Sequence, residues 1–466
     1  MSGKDATSQT LSTDLSSLET EERASGQKCL QLVLLWSAHE PERVGEVCAV
    51  TRTATIGRGA SVADQDPPKL EFMRQRPGSN QHTGYLEAPT LSRRQWHLEP
   101  RGVELWVESH GKRRLLHNGA PASSCKAAVG DTLAVEGVVQ FLVAKRPRLL
   151  RGAWHDHFEF GSPDANGIVG ESPEIWELRH DVSLLGRGQS HVVIFGPSGS
   201  GKELCARGVW RASTRASAEL VSRNAASIPA GLVEAELFGN ASNYPHAGLP
   251  ARQGLIGMAH QGTLFLDEVG ELPEHQQANL LRVMDAGEYQ RLGEDRLQKS
   301  DMRVVAATNR APDTLKSDFL ARFTERLSVP GLNERRADVP LLARHLLARI
   351  CAENPTDGAS RVGMALTDAL VRHRYRLHHR ELERLLRLAR RHSPPSELGL
   401  SPEVEAELDL PSPQVETSAD AVRAALAASK NASEAAKRLG LPSRFALHRL
   451  MKRLGIEPDA TRKGAS

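Results

Sequence analysis

The chain has 466 residues, of which 25% are charged and 4% aromatic, and a formal net charge of +3. That length suits about three domains of ~100–200 residues, and so small a net charge leaves any nucleic-acid contact to a local patch. Cys29, Cys48, Cys125, Cys205 and Cys351 are scattered and form no C-x-x-C pair, which argues against a disulfide framework and against zinc. No apolar run approaches the ~20 residues of a membrane span, and the Ser/Thr/Glu-rich start is no signal peptide. The expectation is a cytoplasmic protein without membrane contact.

Residues 1–27 are polar and read as a disordered tail. Residues 28–146 carry short β-like segments, Leu30–Leu35, Val47–Ile56, Val103–Val107 and Val138–Val143, separated by Gly, Pro and Asn. That pattern predicts an all-β sandwich, interrupted by a long loop over 59–89. A basic run, Lys145–Arg151, begins a linker through residue 165. Residues 166–332 alternate strand and helix patterns, as a parallel α/β core does, and 333–393 read as an arginine-rich helical lid. Pro394, Pro395, Pro402, Pro411 and Pro413 mark a linker over 394–418, before an all-α module at 419–458.

The chemistry concentrates in the α/β region. The apolar run Val192–Phe195 leads into Gly196-Pro197-Ser198-Gly199-Ser200-Gly201-Lys202-Glu203. A strand, a glycine-rich turn ending in lysine and an opening helix make a phosphate cradle, in which Lys202 reaches the outer phosphates. A second strand, Thr263–Leu266, ends in Asp267-Glu268. Such a pair serves a nucleotide hydrolase: Asp267 to hold Mg²⁺, Glu268 to polarise the attacking water.

In the last module, Asn431 precedes Ala432-Ser433-Glu434 as an N-cap, and Gly440 closes the helix. After Leu441-Pro442-Ser443, Leu447, Leu450, Met451 and Leu454 recur at helical spacing, leaving Arg444, His448, Arg449 and Lys452 on other faces. This is a helix-turn-helix pattern with a basic second helix, and Ser443, Arg444, His448, Arg449 and Lys452 are its candidate DNA contacts.

From Ile168 to about Leu388 the chain resembles the AAA+ P-loop NTPase domain of sigma-54-dependent transcriptional activators, the bacterial enhancer-binding proteins. The resemblance rests on Ile168-Val169-Gly170-Glu171-Ser172, Gly196–Glu203, Asn224, Glu236-Leu237-Phe238-Gly239, Gly262–Glu268, Ala306-Ala307-Thr308-Asn309-Arg310 and Leu332–Pro340. It implies that Asn224 pairs with the catalytic Glu268 as a switch. It also implies that Thr308 and Asn309 sense the γ-phosphate and that Arg380 contacts nucleotide from the lid. The last module resembles the Fis-type helix-turn-helix that ends many members.

Departures accompany these matches. Where the family carries Gly-Ala-Phe-Thr-Gly-Ala, the loop that touches sigma-54, this chain reads Asn243-Tyr244-Pro245-His246-Ala247-Gly248. Pro245 fixes φ and removes a donor, and the phenylalanine contact is gone, so ordinary sigma-54 engagement is expected to be altered or lost. The family's two trans-acting arginines correspond to Lys316 and Arg322; lysine lacks the planar fork that grips phosphate bidentately, so hydrolysis is expected to be slow. His378 and His379 are adjacent on a helix and point different ways, which disfavours a metal site.

Residues 28–146 resemble a forkhead-associated (FHA) domain, a β-sandwich that reads phosphothreonine, through Ile56-Gly57-Arg58, Leu91-Ser92-Arg93, Asn118-Gly119 and Val129-Gly130-Asp131. The resemblance implies phosphopeptide contacts from Arg58, Ser92 and Arg93, although Gln95 stands where the family has histidine.

The combined reading is a multidomain transcription regulator: an FHA-like sandwich, an AAA+ ATPase with a helical lid and a helix-turn-helix. Its expected cofactors are ATP and Mg²⁺. Its expected partners are upstream promoter DNA, sigma-54 RNA polymerase, a phosphothreonine protein or kinase, and further copies of itself in a ring. Two alternatives stand beside it: a nucleotide-switched DNA-binding protein without remodelling activity, and an FHA-recruited ATPase scaffold.

Overall fold

The computed structural model describes residues 27–60, 67–152, 158–353 and 361–410, with scattered positions beyond. The chain divides into two compact units, residues 1–409 and 410–466.

The first unit opens with twelve short strands: β1 (Lys28–Ser37), β2 (Val47–Ala49), β3 (Ala54–Ile56), β4 (Phe72–Arg76), β5 (Ser79–Gly84), β6 (Trp96–Arg101), β7 (Glu104–Ser109), β8 (Leu115–His117), β9 (Ala120–Ala122), β10 (Ser124–Ala127), β11 (Thr132–Val135) and β12 (Val139–Pro147). They form one sheet in the order β5-β4-β2-β1-β12-β11-β8-β9 and a second in the order β10-β7-β6-β3. The expected sandwich is therefore present. Within 59–89, however, β4 and β5 form an antiparallel hairpin extending the first sheet, not a bare loop; Phe72 at its base is fully buried against Phe141. The sequence carries no signal for this hairpin, because β5, Ser-Asn-Gln-His-Thr-Gly, has no apolar alternation.

Strand β1 explains how the sandwich is seated. Its Leu32 and Leu34 enter the sandwich core with Trp96 and Phe141. Val33 and Leu35, on the opposite face, share a second core with Val169, which precedes the α/β core, and with Leu342, Leu370 and Leu385 of the lid region. A strand covered on both faces needs the near-continuous apolar run Leu30–Trp36. The basic run is likewise structural: Lys145 and Arg146 belong to β12, and Arg146 is buried.

The α/β core follows: α1 (Pro173–Arg187), β13 (Val192–Phe195), α2 (Lys202–Arg211), β14 (Leu220–Asn224), α3 (Val233–Phe238), α4 (Gly254–Met258), β15 (Thr263–Asp267), α5 (Glu274–Ala286), β16 (Glu288–Gln290), β17 (Leu297–Lys299), β18 (Arg303–Thr308), α6 (Ser317–Ala321) and β19 (Glu325–Ser328). Five strands form a parallel sheet in the order β14-β15-β18-β13-β19. Its central strands are buried Val, Ile, Leu and Ala, as a sheet covered on both sides requires. Ligands of such sheets bind beyond the carboxyl ends of the strands, where the glycine turn, Asp267-Glu268 and Asn309 all emerge.

The lid comprises α7 (Val339–Glu353), β20 (Arg361–Val362), α8 (Met364–Arg372), α9 (His378–Arg391), β21 (Glu397–Leu398) and α10 (Pro402–Ala406). The expected linker over 394–418 is thus corrected in its first half. β21 pairs with β20, Val404 is fully buried, and the Asp409 backbone N–H donates to His373 Nδ1. Pro402 opens a capped helix, with Ser401 accepting from the Val404 N–H, so the proline marks a helix start and not a break.

In the second unit the described residues Val422, Ala435, Leu447, Met451 and Ile456 form a small apolar core. Residues 1–26 and most of this unit, including Ser443, Arg444, His448, Arg449 and Lys452, lie outside the described residues. No described helix is long and apolar enough to cross a membrane.

Candidate functional site

The glycine turn joins β13 to α2. Gly199 and Gly201 have φ of +75° and +102°, and a Cβ on Gly199 would lie 2.3 Å from the Leu377 carbonyl oxygen. Only glycine fits there. Gly201 caps α2 without a side-chain bond, so the first N–H groups of the helix carry no side-chain cap. The Ser200 hydroxyl is buried without a partner. Lys202 is 6% exposed, and its ammonium donates to the Gly196 carbonyl at 3.0 Å and lies 3.5 Å from Glu268 Oε1. A cradle of orphan donors around a buried lysine is chemically suited to a polyphosphate.

Glu268 has φ of +50°, an uncommon backbone conformation for a glutamate. Its Oε2 accepts the Asn309 N–H at 3.0 Å. The carboxylate is thus held between the cradle's lysine and the end of β18. Asp267 accepts the Glu268 N–H at 3.0 Å through Oδ1 and the Asn224 Nδ2–H at 3.1 Å through Oδ2. This differs from the expected Asn224–Glu268 pairing: β14 and β15 run parallel with Asn224 opposite Asp267, and a side chain as short as asparagine meets the residue across from it. Burial, and next the charge of Glu268, hold the Asp267 carboxyl above its usual range. That adverse pairing of charges is what a cation would relieve. No cluster of three or more metal-ligating side chains occurs among the described residues. Magnesium fits this arrangement, because it takes one or two carboxylates and completes its shell with phosphate and water oxygens.

The cleft encloses about 410 Å³ and is lined by Ile168, Val169, Gly199–Leu204, Asp267, Glu268, Arg335, Leu342, His345, Arg349, His379 and Arg380, among others. Thr308, the last residue of β18, is buried and not part of the cleft lining, its hydroxyl accepting the Arg310 N–H. Arg380 reaches Ser198 Oγ at 3.4 Å from the lid. Several lining residues were not anticipated: Arg335, His345, Arg349 and His379 come from helices and turns whose inward faces a single sequence does not reveal. The leading motif and the Leu332–Pro340 motif prove to be one structure. Asp338 accepts the Glu171 and Ser172 N–H groups at 2.7 and 2.9 Å and the Ser172 hydroxyl at 2.6 Å.

Residues 168–332 match the family described as Sigma-54 interaction domain. By this domain the chain belongs to the family of sigma-54-dependent transcriptional activators. It is 41% identical over 197 residues to the Nif-specific regulatory protein of Bradyrhizobium diazoefficiens, covering 41% of this chain and 34% of that one. It is 35% identical over 320 residues to the anaerobic nitric oxide reductase transcription regulator NorR of Escherichia coli, covering 62% and 63%. Among solved structures, NtrX from Brucella abortus is 30% identical, covering 62% of this chain and 69% of that chain, with a TM-score of 0.47. The chain spans 34% and 38% of the length of the first two relatives, the second being NorR of Aeromonas hydrophila.

The positions expected to act in trans are exposed and outside the cleft lining. Lys316 pairs with Glu274 at 2.8 Å and Arg322 with Asp285 at 2.9 Å. Residues 243–248 are exposed, but their ends are pinned. Asn240 Nδ2 donates to the Ala241 and Pro250 carbonyls, Asn243 Oδ1 accepts the Gly248 N–H, and Tyr244 packs so closely on Gly293 that a Cβ there would sit 2.4 Å away. In the sandwich, Arg58 and Ser92 meet: the Arg58 N–H donates to the Ser92 carbonyl at 3.0 Å. The Arg58 guanidinium is turned to the Pro89 carbonyl, the Ser92 hydroxyl accepts the Lys112 N–H, and Arg93 is exposed. Gln95, in the histidine's place, is fully buried and donates to the Arg113 carbonyl.

Proposed function

We propose that this chain is a DNA-binding transcriptional regulator whose AAA+ module binds ATP with Mg²⁺ and hydrolyses it at the seams of a homo-oligomeric ring. Lys202 and the orphan donors of residues 199–203 would hold the β- and γ-phosphates, and Asp267 the cation, which supplies charge neutralisation when bound. Glu268, fixed by the Asn309 N–H, would orient the attacking water and accept its proton; Thr308 and Asn309 would sense the γ-phosphate. Arg380 would close on the nucleotide from the lid, while Arg322 and Lys316 would serve a neighbour's site. The FHA-like sandwich would receive a phosphothreonine partner through Arg58, Ser92 and Arg93. The basic face of the last module would place the assembly on upstream DNA.

The observation that carries this reading is the convergence of Lys202, Glu268 and Asp267 at one cleft, 3.5 Å separating the lysine from the glutamate. Multiple-turnover phosphate release by the assembled protein tests it. Hydrolysis lost in Glu268→Ala with nucleotide still bound is the expected result; equal release by both proteins overturns it.

A second reading, nucleotide-controlled DNA occupancy without remodelling, is favoured by the pinned loop 243–248. Sigma-54-dependent open-complex formation separates the two. Grafting Gly-Ala-Phe-Thr-Gly-Ala onto 243–248 should create activity if only the loop is altered; continued silence supports the second reading.

A further inference from the structure

Arg335 poses a problem of charge. It is 3% exposed, its Nε is buried without a partner, and its donors go to neutral acceptors: the Val169 carbonyl at 3.3 Å and His379 Nε2 at 2.7 Å. A buried guanidinium without a hydrogen-bonded carboxylate is costly unless an anion completes it. The bond to His379 also fixes that ring's tautomer. A guanidinium can only donate, so Nε2 is the acceptor and Nδ1 carries the hydrogen. Nδ1 has no partner among the described residues and faces the glycine turn: a Cβ on Gly201 would lie 3.8 Å from His379 Cε1 and 4.0 Å from Nδ1. The backbone keeps it there, since the His379 N–H donates to the Gly199 carbonyl at 3.1 Å. Burial first, then the charges of Arg335 and His378, push the imidazole's pKa down to about 3, so the ring is neutral at ordinary pH.

We infer that His379 is a nucleotide-binding residue that donates Nδ1–H to the β-phosphate in the glycine turn, with Arg335 as the positioning residue behind it. The ring relays a buried positive charge to the anion without ionising, and the guanidinium polarises it into a stronger donor. His379 thus adds a donor from the lid, beside Arg380.

The inference rests on the nucleotide reading above, and calorimetry on the full chain separates their fates. Wild-type protein with ADP and Mg²⁺ comes first: absence of binding overturns the nucleotide reading itself. Given binding, His379→Val is expected to weaken ADP about tenfold, the size of one hydrogen bond to a charged group. AMP, which lacks the β-phosphate, should change less than twofold. His379→Asn, which returns an N–H near the Nδ1 position, should recover most of the loss. Equal ADP affinity in wild type and His379→Val overturns the inference, and so does equal weakening by valine and asparagine. A measurement needing no variant accompanies these. In ¹⁵N-histidine spectra of wild type, His379 should be the neutral Nδ1–H tautomer and shift on adding ADP but not AMP; an Nε2–H tautomer, or no shift, overturns it.

Discussion

Asp368 on lid helix α8 accepts the Thr132 hydroxyl of sandwich strand β11, binding two parts of the chain separated by 236 positions. Gln140 donates to the same oxygen at 2.8 Å, and Arg372 pairs with the other at 3.0 Å while reaching the Asn118 carbonyl at 2.6 Å. A second joint lies at the leading motif, where Arg76 pairs with Glu171 at 3.0 Å and Arg146 donates to the Glu171 carbonyl. The sandwich therefore grips both the lid and the segment that begins the α/β core.

Asp368→Ala should destabilise the joint by about 3 kcal/mol, because it strands Arg372, Thr132 and Gln140 at a buried carboxylate's place. The Trp36 indole donates to the Val362 carbonyl at 2.9 Å at the same boundary. Urea unfolding followed by tryptophan fluorescence checks this; an unaltered midpoint would remove the polar part of the joint from consideration.

Glu268→Gln keeps shape and loses the base. Turnover should fall at least ~10²-fold, the lower range for a positioned general base, with nucleotide affinity nearly unchanged. A variant that hydrolyses at the wild-type rate would assign the proton to another group.

Because Asn224 holds Asp267 and not Glu268, Asn224→Ala should act on the cation. The Mg²⁺ concentration needed for half-maximal nucleotide binding should rise about tenfold, as removal of a ligand's supporting bond does elsewhere. If turnover fell at saturating Mg²⁺ with no change in that requirement, the Asn224–Asp267 bond would not matter to the metal.

Acid should loosen the fold through its buried and half-buried histidines. His379 sits at about 3 against an ordinary 6.5, and His191, His345 and His378 are also lowered, each chiefly by burial. The unfolded chain takes up protons near pH 6.5 that the folded chain refuses. The stability these groups contribute is therefore complete above pH 6.5 and declines as pH falls toward 3. Each fully depressed histidine contributes a slope of about 1.4 kcal/mol per pH unit. Unfolding midpoints measured from pH 7 to 4 should show His379→Gln with the shallower decline; parallel curves would mean that His379 is protonated in the fold.

What could be read directly from the chain was local. The glycine turn and the strand ending in Asp267-Glu268 are contiguous segments whose residue types dictate their own backbone. The apolar runs of β13, β15 and β18 announced a covered sheet for the same reason. Tertiary structure alone decided which groups meet across long separations: Asn224 with Asp267, Asp338 with Ser172, Arg335 with His379, and Asp368 with Thr132. It also turned the polar β5 and the proline-marked 397–406 into ordered elements, because their stability comes from neighbours and not from their own pattern. A side chain's type fixes what it can bond. Only packing, which places one face of each strand or helix against another, fixes what it does bond.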